Sequence, residues 1–363
     1  MNEQQEWIDV GATDDFKRTP LREARLGERL VAISYKDGKF GVISNVCNHV
    51  GGPLGKGVLE GEFVVCPWHQ YRFHRCSGEG EPGYEADKVP SYGVREENGR
   101  LLVTAKPVSK RGHLPHEPHP LTRSTETRAP GPLRVGGIST TAMDPRYPRF
   151  STSEHLLGVA LEHARTALGA ETNMIRLNDL RFRNCEGYYS KAAKACTWPC
   201  SITSMDKTDQ LDQVYEMAVH WADILLIATP IRWGAASSLY YKMVERMNCI
   251  QNQITIANKV LIRNKVAAFI ITGGQDGIQS VAGQMMMFFS EIGYLVPQFP
   301  FIAHSLGWEF EEMDRNVDLV ENSEALRKGA RELVVRSAEM SKALLEREMT
   351  RASIERGGRK ASA

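Results

Sequence analysis

No stretch of this chain is apolar for long enough to cross a bilayer. Its longest apolar runs, such as Ile224-Leu-Leu-Ile-Ala228, are of strand length, whereas a spanning helix needs about 20 such residues. Nor does a segment of signal-peptide type open the sequence, so a cytoplasmic protein is expected. An excess of one charge is also missing: 45 Lys and Arg stand against 44 Asp and Glu, a formal net charge of +1. No global field therefore invites nucleic acid or an anionic membrane, and the locally basic stretch at 349–363 reads as a solvated, frayed tail. Cysteine is scarce. There are seven in 363 residues, an odd number, and two of them stand beside histidines at ligand spacing, which points to reduced thiols and a metal rather than to disulfides. What is present, 42% apolar and 25% charged residues, suffices for two ordinary cores and excludes disorder as the default.

Two textures divide the chain. Residues 1–106 read as short strands broken by turns: Arg29–Tyr35, the Lys36-Asp37-Gly38-Lys39 turn, Phe40–Ser44, Glu62–Val65 and Arg100–Thr104. That pattern predicts a small all-β module. Residues 107–131 are rich in Pro, His and Arg without apolar periodicity and read as a linker, whose composition accounts for His113, His116 and His119 without a metal. From 132 to 348 strands and helices alternate. Strands are expected at Leu133–Gly136, Thr172–Leu177, Ala222–Ala228 and Val266–Ile271, with helices near Ser153–Leu168, Leu239–Met247, Gln284–Ile292 and Ser323–Arg347. This predicts an α/β doubly wound parallel sheet covered on both faces, with Leu326, Leu333, Val334, Ala338 and Leu344 of the last helix against it.

The chemistry of the first module lies in Cys47-Asn48-His49, sixteen residues, and Cys66-Pro67-Trp68-His69. Each loop offers one thiolate and one imidazole. Thiolates suit ferric iron held with bridging sulfide, and two neutral imidazoles on a second iron reduce the negative charge of the cluster. Two Cys and two His also satisfy tetrahedral zinc, although zinc fingers pair Cys with Cys and His with His. With Val50-Gly51-Gly52-Pro53-Leu54 behind the first pair and Gly78, Pro82 and Gly83 in a later turn, the module resembles the Rieske ferredoxin family. The resemblance implies Cys47, His49, Cys66 and His69 as ligands of a 2Fe-2S cluster, with the two histidines as its exposed edge. High-potential members carry a disulfide where this chain has Gly52 and Trp68, and hydroxyl donors where it has Tyr71 and Phe73. Fewer hydrogen bonds to sulfur imply a low potential, roughly −150 mV. Neither His74 nor Cys76 is needed for a four-ligand site.

The second module lacks the GxGxxG dinucleotide fingerprint, since Gly273-Gly274-Gln275-Asp276-Gly277 does not match it. Its first strand ends at Gly136-Gly137-Ile138-Ser139, and the next helix opens with Ser151-Thr152-Ser153-Glu154. That opening reads either as a phosphate site at a helix N-terminus or as a plain N-cap. A buried strand then empties into Thr229-Pro-Ile-Arg-Trp-Gly234 before a helix, where ligands of such sheets bind. Here the module resembles the flavodoxin-like NAD(P)H-dependent FMN reductases, including their iron-sulfur flavoprotein branch. The resemblance implies FMN, with its phosphate at Ser139, Ser151, Thr152, Ser153 and Glu154; the insertion between Ser139 and Ser151, which carries Arg146 and Arg149, departs from that family's compact loop. The FMN ring would lie along Pro230, Ile231, Arg232, Trp233 and Gly234, with Gly273, Gly274 and Gln275 opposite. It also implies a dimer or tetramer. Cys185, Cys196 and Cys200 stand where that branch carries a compact four-cysteine cluster, with wider spacing and no fourth Cys, so they read as buried or loop thiols with a second cluster as the alternative, and Met285-Met-Met-Phe-Phe289 reads as core or interface.

Together the modules imply an NAD(P)H-dependent oxidoreductase passing electrons one at a time between FMN and the cluster, with an oxygenase or other acceptor beyond. No acid, base or nucleophile is required of the protein. Two alternatives stand beside this. In one the cluster admits electrons and the flavin site reduces a quinone or nitro compound; in the other the protein senses redox state without turnover.

Overall fold

The computed structural model describes residues 5–114, 117–124, 131–273, 277–306 and 309–351. Its contacts form two units, residues 1–120 with 187–196, and residues 121–186 with 197–363. The first correction to the sequence reading follows: 187–196, expected inside the second module, folds with the first.

The first unit holds three antiparallel sheets. Strands β1 (Trp7–Ala12), β9 (Arg100–Thr104) and β8 (Val94–Glu97) form one, and β2 (Leu21–Leu26), β3 (Arg29–Lys36) and β4 (Lys39–Ser44) form the second. The third joins β5 (Val58–Glu60), β6 (Phe63–Val65) and β7 (Arg72–His74). Alternation along β3 and β4 explains why both strands read as continuous apolar runs. Val31, Ile33 and Val42 enter a core with Phe16, Leu26, Leu101 and Val103, while Ala32 and Ile43 enter another with Leu54, Val64, Phe73 and the thiols of Cys47 and Cys66. Successive side chains point to opposite faces, so this hairpin has no solvent face to spend on polar residues. Asp37 and Gly38 close it with positive φ at both positions, as a two-residue turn between right-twisted strands requires.

The second unit is a five-stranded parallel sheet in the order β11 (Glu171–Arg176), β10 (Arg134–Ser139), β12 (Ile224–Pro230), β13 (Val266–Gly273), β14 (Phe301–Ser305). Every residue of β12 and β13 is buried. The long helices are α1 (Thr152–Ala167), α2 (Ser238–Arg246), α3 (Asn248–Ala257), α4 (Ile278–Glu291), α5 (Phe310–Asn322) and α6 (Glu324–Arg351). Leu156, Leu157, Ala160 and Leu161 of α1 and Leu333, Val334 and Ala338 of α6 share one core with Val135, Leu226, Ala268 and Ile270, as the helical spacing predicted. On the other face Phe269 meets Phe289 of α4. The strand that comes first in sequence lies inside the order, so the chain moves outward to β11 and then reverses through β12, placing a topological switch point between β10 and β12. Ligands of this 2-1-3-4-5 order bind at the carboxyl ends there. A flavodoxin-like fold is the result.

Candidate functional site

In the first unit the loops β4–β5 and β6–β7 bring the four predicted ligands together. Cys47 and Cys66 are buried beside each other and hydrogen-bond through their sulfurs; the bond to Cys47 comes first in pulling the Cys66 thiol below its ordinary value, followed by the N–H groups of Trp68 and His69. Cys47 is correspondingly pushed up. The His49 and His69 rings meet edge to face with centroids 4.5 Å apart, and His49 stacks on Tyr71 at 4.6 Å and 6°. The Nδ1 atoms of both imidazoles are buried. Burial, then the neighbouring His49, pushes His69 down to about 4, so it is neutral at physiological pH. Its Nε2 lies 2.9 Å from the Ala195 carbonyl; a carbonyl only accepts, so Nε2 carries the proton and Nδ1 keeps the lone pair that a metal takes.

This donor set fits a 2Fe-2S cluster: a sulfur pair on one side, an imidazole pair on the other. A side chain at Gly52 would place its Cβ 2.6 Å from the Cys66 sulfur and 3.2 Å from the Trp68 ring, so glycine keeps the cradle open where high-potential relatives were expected to have a disulfide. None of the seven cysteines is in a disulfide. Phe73 is 1% exposed, a core residue. His74 accepts from the Ser77 N–H at 3.2 Å, shaping a turn, and Cys76 is exposed, so neither joins the site.

Sequence reasoning missed what supports these loops. Asn48 donates to the buried Asp87 carboxylate at 2.7 Å and to the Gly112 carbonyl at 2.8 Å, and Arg111 donates to Asn48 and to the Val46 carbonyl. The start of the expected linker is therefore part of the cluster loop's scaffold, and His113 stands 3.4 Å from Asp87. His116 lies outside the described residues. A second correction concerns the exposed edge: His69 is only 6% exposed, covered by residues 187–196.

In the second unit the predicted flavin residues gather at the switch point. Ser139 ends β10, Pro230 ends β12 opposite Thr272, and Thr152 at the mouth of α1 meets Thr272 through their hydroxyls at 2.6 Å. Ser151 caps α1, accepting from the Glu154 N–H at 3.3 Å. Thr141, unnoticed in the sequence, lies 2.7 Å from the Ser151 hydroxyl and 3.3 Å from that of Ser153; the Ser139-Thr140-Thr141 run after a buried strand was the available signal. Glu154 receives the Ser139 hydroxyl and Arg176, each at 2.7 Å. Ile231 packs against Gly273, where a Cβ would sit 2.8 Å from it, and Gly277 at φ +113° would bring a Cβ within 2.9 Å of Gly234. Only glycine lets these two strand-end loops close to that distance. Trp233 lies beside them, 87% exposed. Burial, then repulsion from Arg149, pulls Arg232 below its ordinary value, and Arg149 lines a hollow together with Ser151 and Glu154 at the α1 N-terminus. Hydroxyls, a helix N-terminus and two guanidiniums fit a phosphate, and the glycine-lined loops fit a flat ring. Gly274 and Gln275 lie outside the described residues. Cys200 accepts from Arg246 Nε at 3.1 Å, a structural bond rather than a cluster ligand.

Comparison with known proteins agrees with both halves. Residues 6–93 match the family model of the Rieske 2Fe-2S domain, and residues 145–308 match that of NADPH-dependent FMN reductase. A ferredoxin component of naphthalene 1,2-dioxygenase/salicylate 5-hydroxylase systems from Ralstonia sp is 28% identical over 99 residues, 27% of this chain and 95% of that protein. A human Rieske domain-containing protein is 38% identical over 76 residues, 20% of this chain and 48% of the relative. The solved structure of RosB with bound 8-demethyl-8-formylriboflavin-5'-phosphate aligns at 20% identity and a TM-score of 0.47, over 64% of this chain and 90% of that one.

Proposed function

From the premise that this chain is a flavin/iron-sulfur oxidoreductase joining a Rieske domain to an NADPH-dependent FMN reductase domain, we propose that it moves electrons from NAD(P)H through FMN to the cluster, one at a time, and on to an acceptor such as an oxygenase component. The observation that carries this is the coexistence of a two-sulfur, two-imidazole donor set in one unit and, in the other, hydroxyls and a helix N-terminus gathered at the switch point of a parallel sheet. When bound, FMN supplies hydride acceptance and single-electron release, and the cluster supplies a one-electron store.

The side chains then have assignable tasks. Ser151, Thr152, Ser153 and Thr141 present hydroxyls, and the first turn of α1 presents N–H groups, to the FMN phosphate. Arg149 and Arg232 neutralise it. Glu154 leaves the expected phosphate set, because a carboxylate accepts only and would repel phosphate; it holds Ser139 and Arg176 instead. Arg146 is likewise committed, to Asp144 at 2.8 Å. Pro230–Gly234 and Gly273 form the two walls of a slot for the ring, Gly274 and Gln275 following in chain order. Gln70, with φ +59°, donates its N–H to the Cys66 carbonyl at 3.1 Å and closes the second ligand loop. A low potential is expected, because Phe73 cannot donate to sulfur.

Anaerobic titration with NADPH, followed by visible absorbance and electron paramagnetic resonance, tests the reading. Flavin absorbance should bleach and a reduced 2Fe-2S signal should appear in the same titration; a bleached flavin with a cluster still oxidised would reject it. Small organic substrates such as quinones would then be assayed as alternative acceptors. For the phosphate site, Arg232→Ala should weaken FMN binding by roughly 10- to 100-fold, the worth of one charge-assisted hydrogen bond. Fluorescence titration of the apoprotein with FMN measures this, and an unchanged dissociation constant would remove Arg232 from the site.

A further inference from the structure

A buried carboxylate is tied to the first ligand loop by a single side chain. Asp87 is 2% exposed. Its Oδ1 accepts from the side-chain amide of Asn48 at 2.7 Å and from the Leu114 N–H at 3.3 Å, and His113 Nδ1 stands 3.4 Å away. Asn48 lies between the ligands Cys47 and His49, and its amide can face only one way. The NH2 group meets the Asp87 carboxylate and the Gly112 carbonyl, both acceptors, while the amide oxygen meets the Arg111 guanidinium, which only donates. All of these residues belong to the first unit. An anion and a cation thus flank the ligand loop, on unequal terms. Arg111 is exposed, with its other bonds to the Val46 carbonyl and the Ser44 hydroxyl, so water and salt screen it far more than they screen the buried Asp87. The reach of the Asp87 charge shows in the site itself. Cys47 is pushed up first by its bond to Cys66 and by burial, and in part by Asp87; burial, then the charges of Cys47 and Asp87, push Tyr71 up as well. The two donors at Oδ1 would be met equally by an amide oxygen, and a neutral side chain costs less to bury. What asparagine would not supply at this position is the negative charge.

We infer that Asp87 holds down the reduction potential of the cluster, its carboxylate being fixed against the first ligand loop by Asn48, where it opposes the negative charge that reduction adds. This rests on the assignment of Cys47, His49, Cys66 and His69 as cluster ligands, and it adds a buried anion to the missing hydroxyl donor at Phe73 as a cause of the low potential expected above. Reduction brings in one electron from the reductant and moves no atom. A like charge nearby disfavours the more negative product. Asp87 is a positioning residue, acting through Asn48 and through its field. One charge close to a site biases a charge-changing equilibrium there by about tenfold or more, and tenfold in a one-electron couple is about 59 mV.

The test is the midpoint potential of the cluster in the full-length holoprotein, measured by mediated titration with dithionite and read by electron paramagnetic resonance, in the native chain and two variants. Asp87→Asn keeps an acceptor oxygen for Asn48 and Leu114 and removes only the charge. Its cluster should be reduced about tenfold more favourably, a rise of about 59 mV, with iron content unchanged. Arg111→Gln removes the opposing cation and should move the potential the other way, by the smaller factor that a screened charge commands, about threefold or about 28 mV. An Asp87→Asn protein with full iron content and the native potential would overturn the inference. Should Asp87→Asn retain no cluster, Arg111→Gln decides: a lowered potential supports the field of this charge pair, and an unmoved or raised one overturns it. Dithionite replaces NADPH and the flavin takes no part, so a cluster that NADPH fails to reduce would reject the electron path proposed above and leave these potentials standing. A native protein without a reduced 2Fe-2S signal would remove the ligand assignment and this inference together.

Discussion

Cys66→Ser should remove the iron-sulfur centre while leaving a working flavoprotein. Cys66 is 2% exposed, and its sulfur draws hydrogen bonds from Cys47 and from the N–H groups of Trp68 and His69. A serine oxygen occupies nearly the same place but is a hard donor, poorly matched to iron bridged by sulfide. Iron and acid-labile sulfide should fall at least tenfold, and the paramagnetic resonance signal of the reduced protein should vanish. FMN content and bleaching by NADPH should persist, because the residues assigned to FMN lie in the other unit. Cys76→Ser is the control: this thiol is exposed and outside the ligand set, and its loss should change none of these readouts. A full resonance signal in Cys66→Ser would refute the ligand assignment and every electron path built upon it.

Arg246→Met should cost about 3–5 kcal/mol of stability, the range for breaking a buried ion pair from one side. Arg246 and Asp209 are paired at 2.8 Å with both side chains 0% exposed. The guanidinium also donates to the Arg183 carbonyl at 2.7 Å and to the Thr203 hydroxyl at 2.8 Å. It thereby ties the irregular stretch 183–209 to α2. Methionine fills the volume but leaves the Asp209 carboxylate buried without its counter-charge. Denaturant unfolding followed by circular dichroism measures the loss; the double variant Arg246→Met/Asp209→Leu should recover most of it, since no charge is then stranded. A loss below about 1 kcal/mol in the single variant would show that the pair carries little. The pair also sets an acid limit. Burial pushes the Asp209 carboxyl up, but Arg246 and the Arg183 N–H together hold it below its ordinary 3.8. A carboxyl depressed in the folded state stabilises above its unfolded value and loses that contribution as pH falls through the folded one, so native and double variant should differ most in pH dependence below about 3.8.

Much was readable without coordinates wherever chemistry and spacing are local. Cys47, His49, Cys66 and His69 announce themselves because each ligand pair lies within one loop, where four residues suffice to aim a thiol and an imidazole. The helix of Leu333, Val334 and Ala338 and the strands around Leu226 and Ile270 declare themselves through periodicity, which records one-sided or two-sided burial. Short strands such as β5 and β7, three residues each, leave no such record. The bond between Glu154 and Ser139 was not legible, because an acid at the start of a helix and a hydroxyl at a strand end do not show in one dimension that they will meet.

The amino-acid sequence by itself determined two modules, the two Cys–His pairs offered as cluster ligands, and the order of strands and helices that closes a parallel sheet with a switch point. Folding alone decided that residues 187–196 leave the module they are encoded in and cover His69, that Arg149 and Arg232 share one region, and that Arg246 finds Asp209. The physical reason is range. Periodicity and motif spacing express forces between near neighbours, whereas these pairings join residues 37 to 126 positions apart and exist only once both cores have brought their loops together.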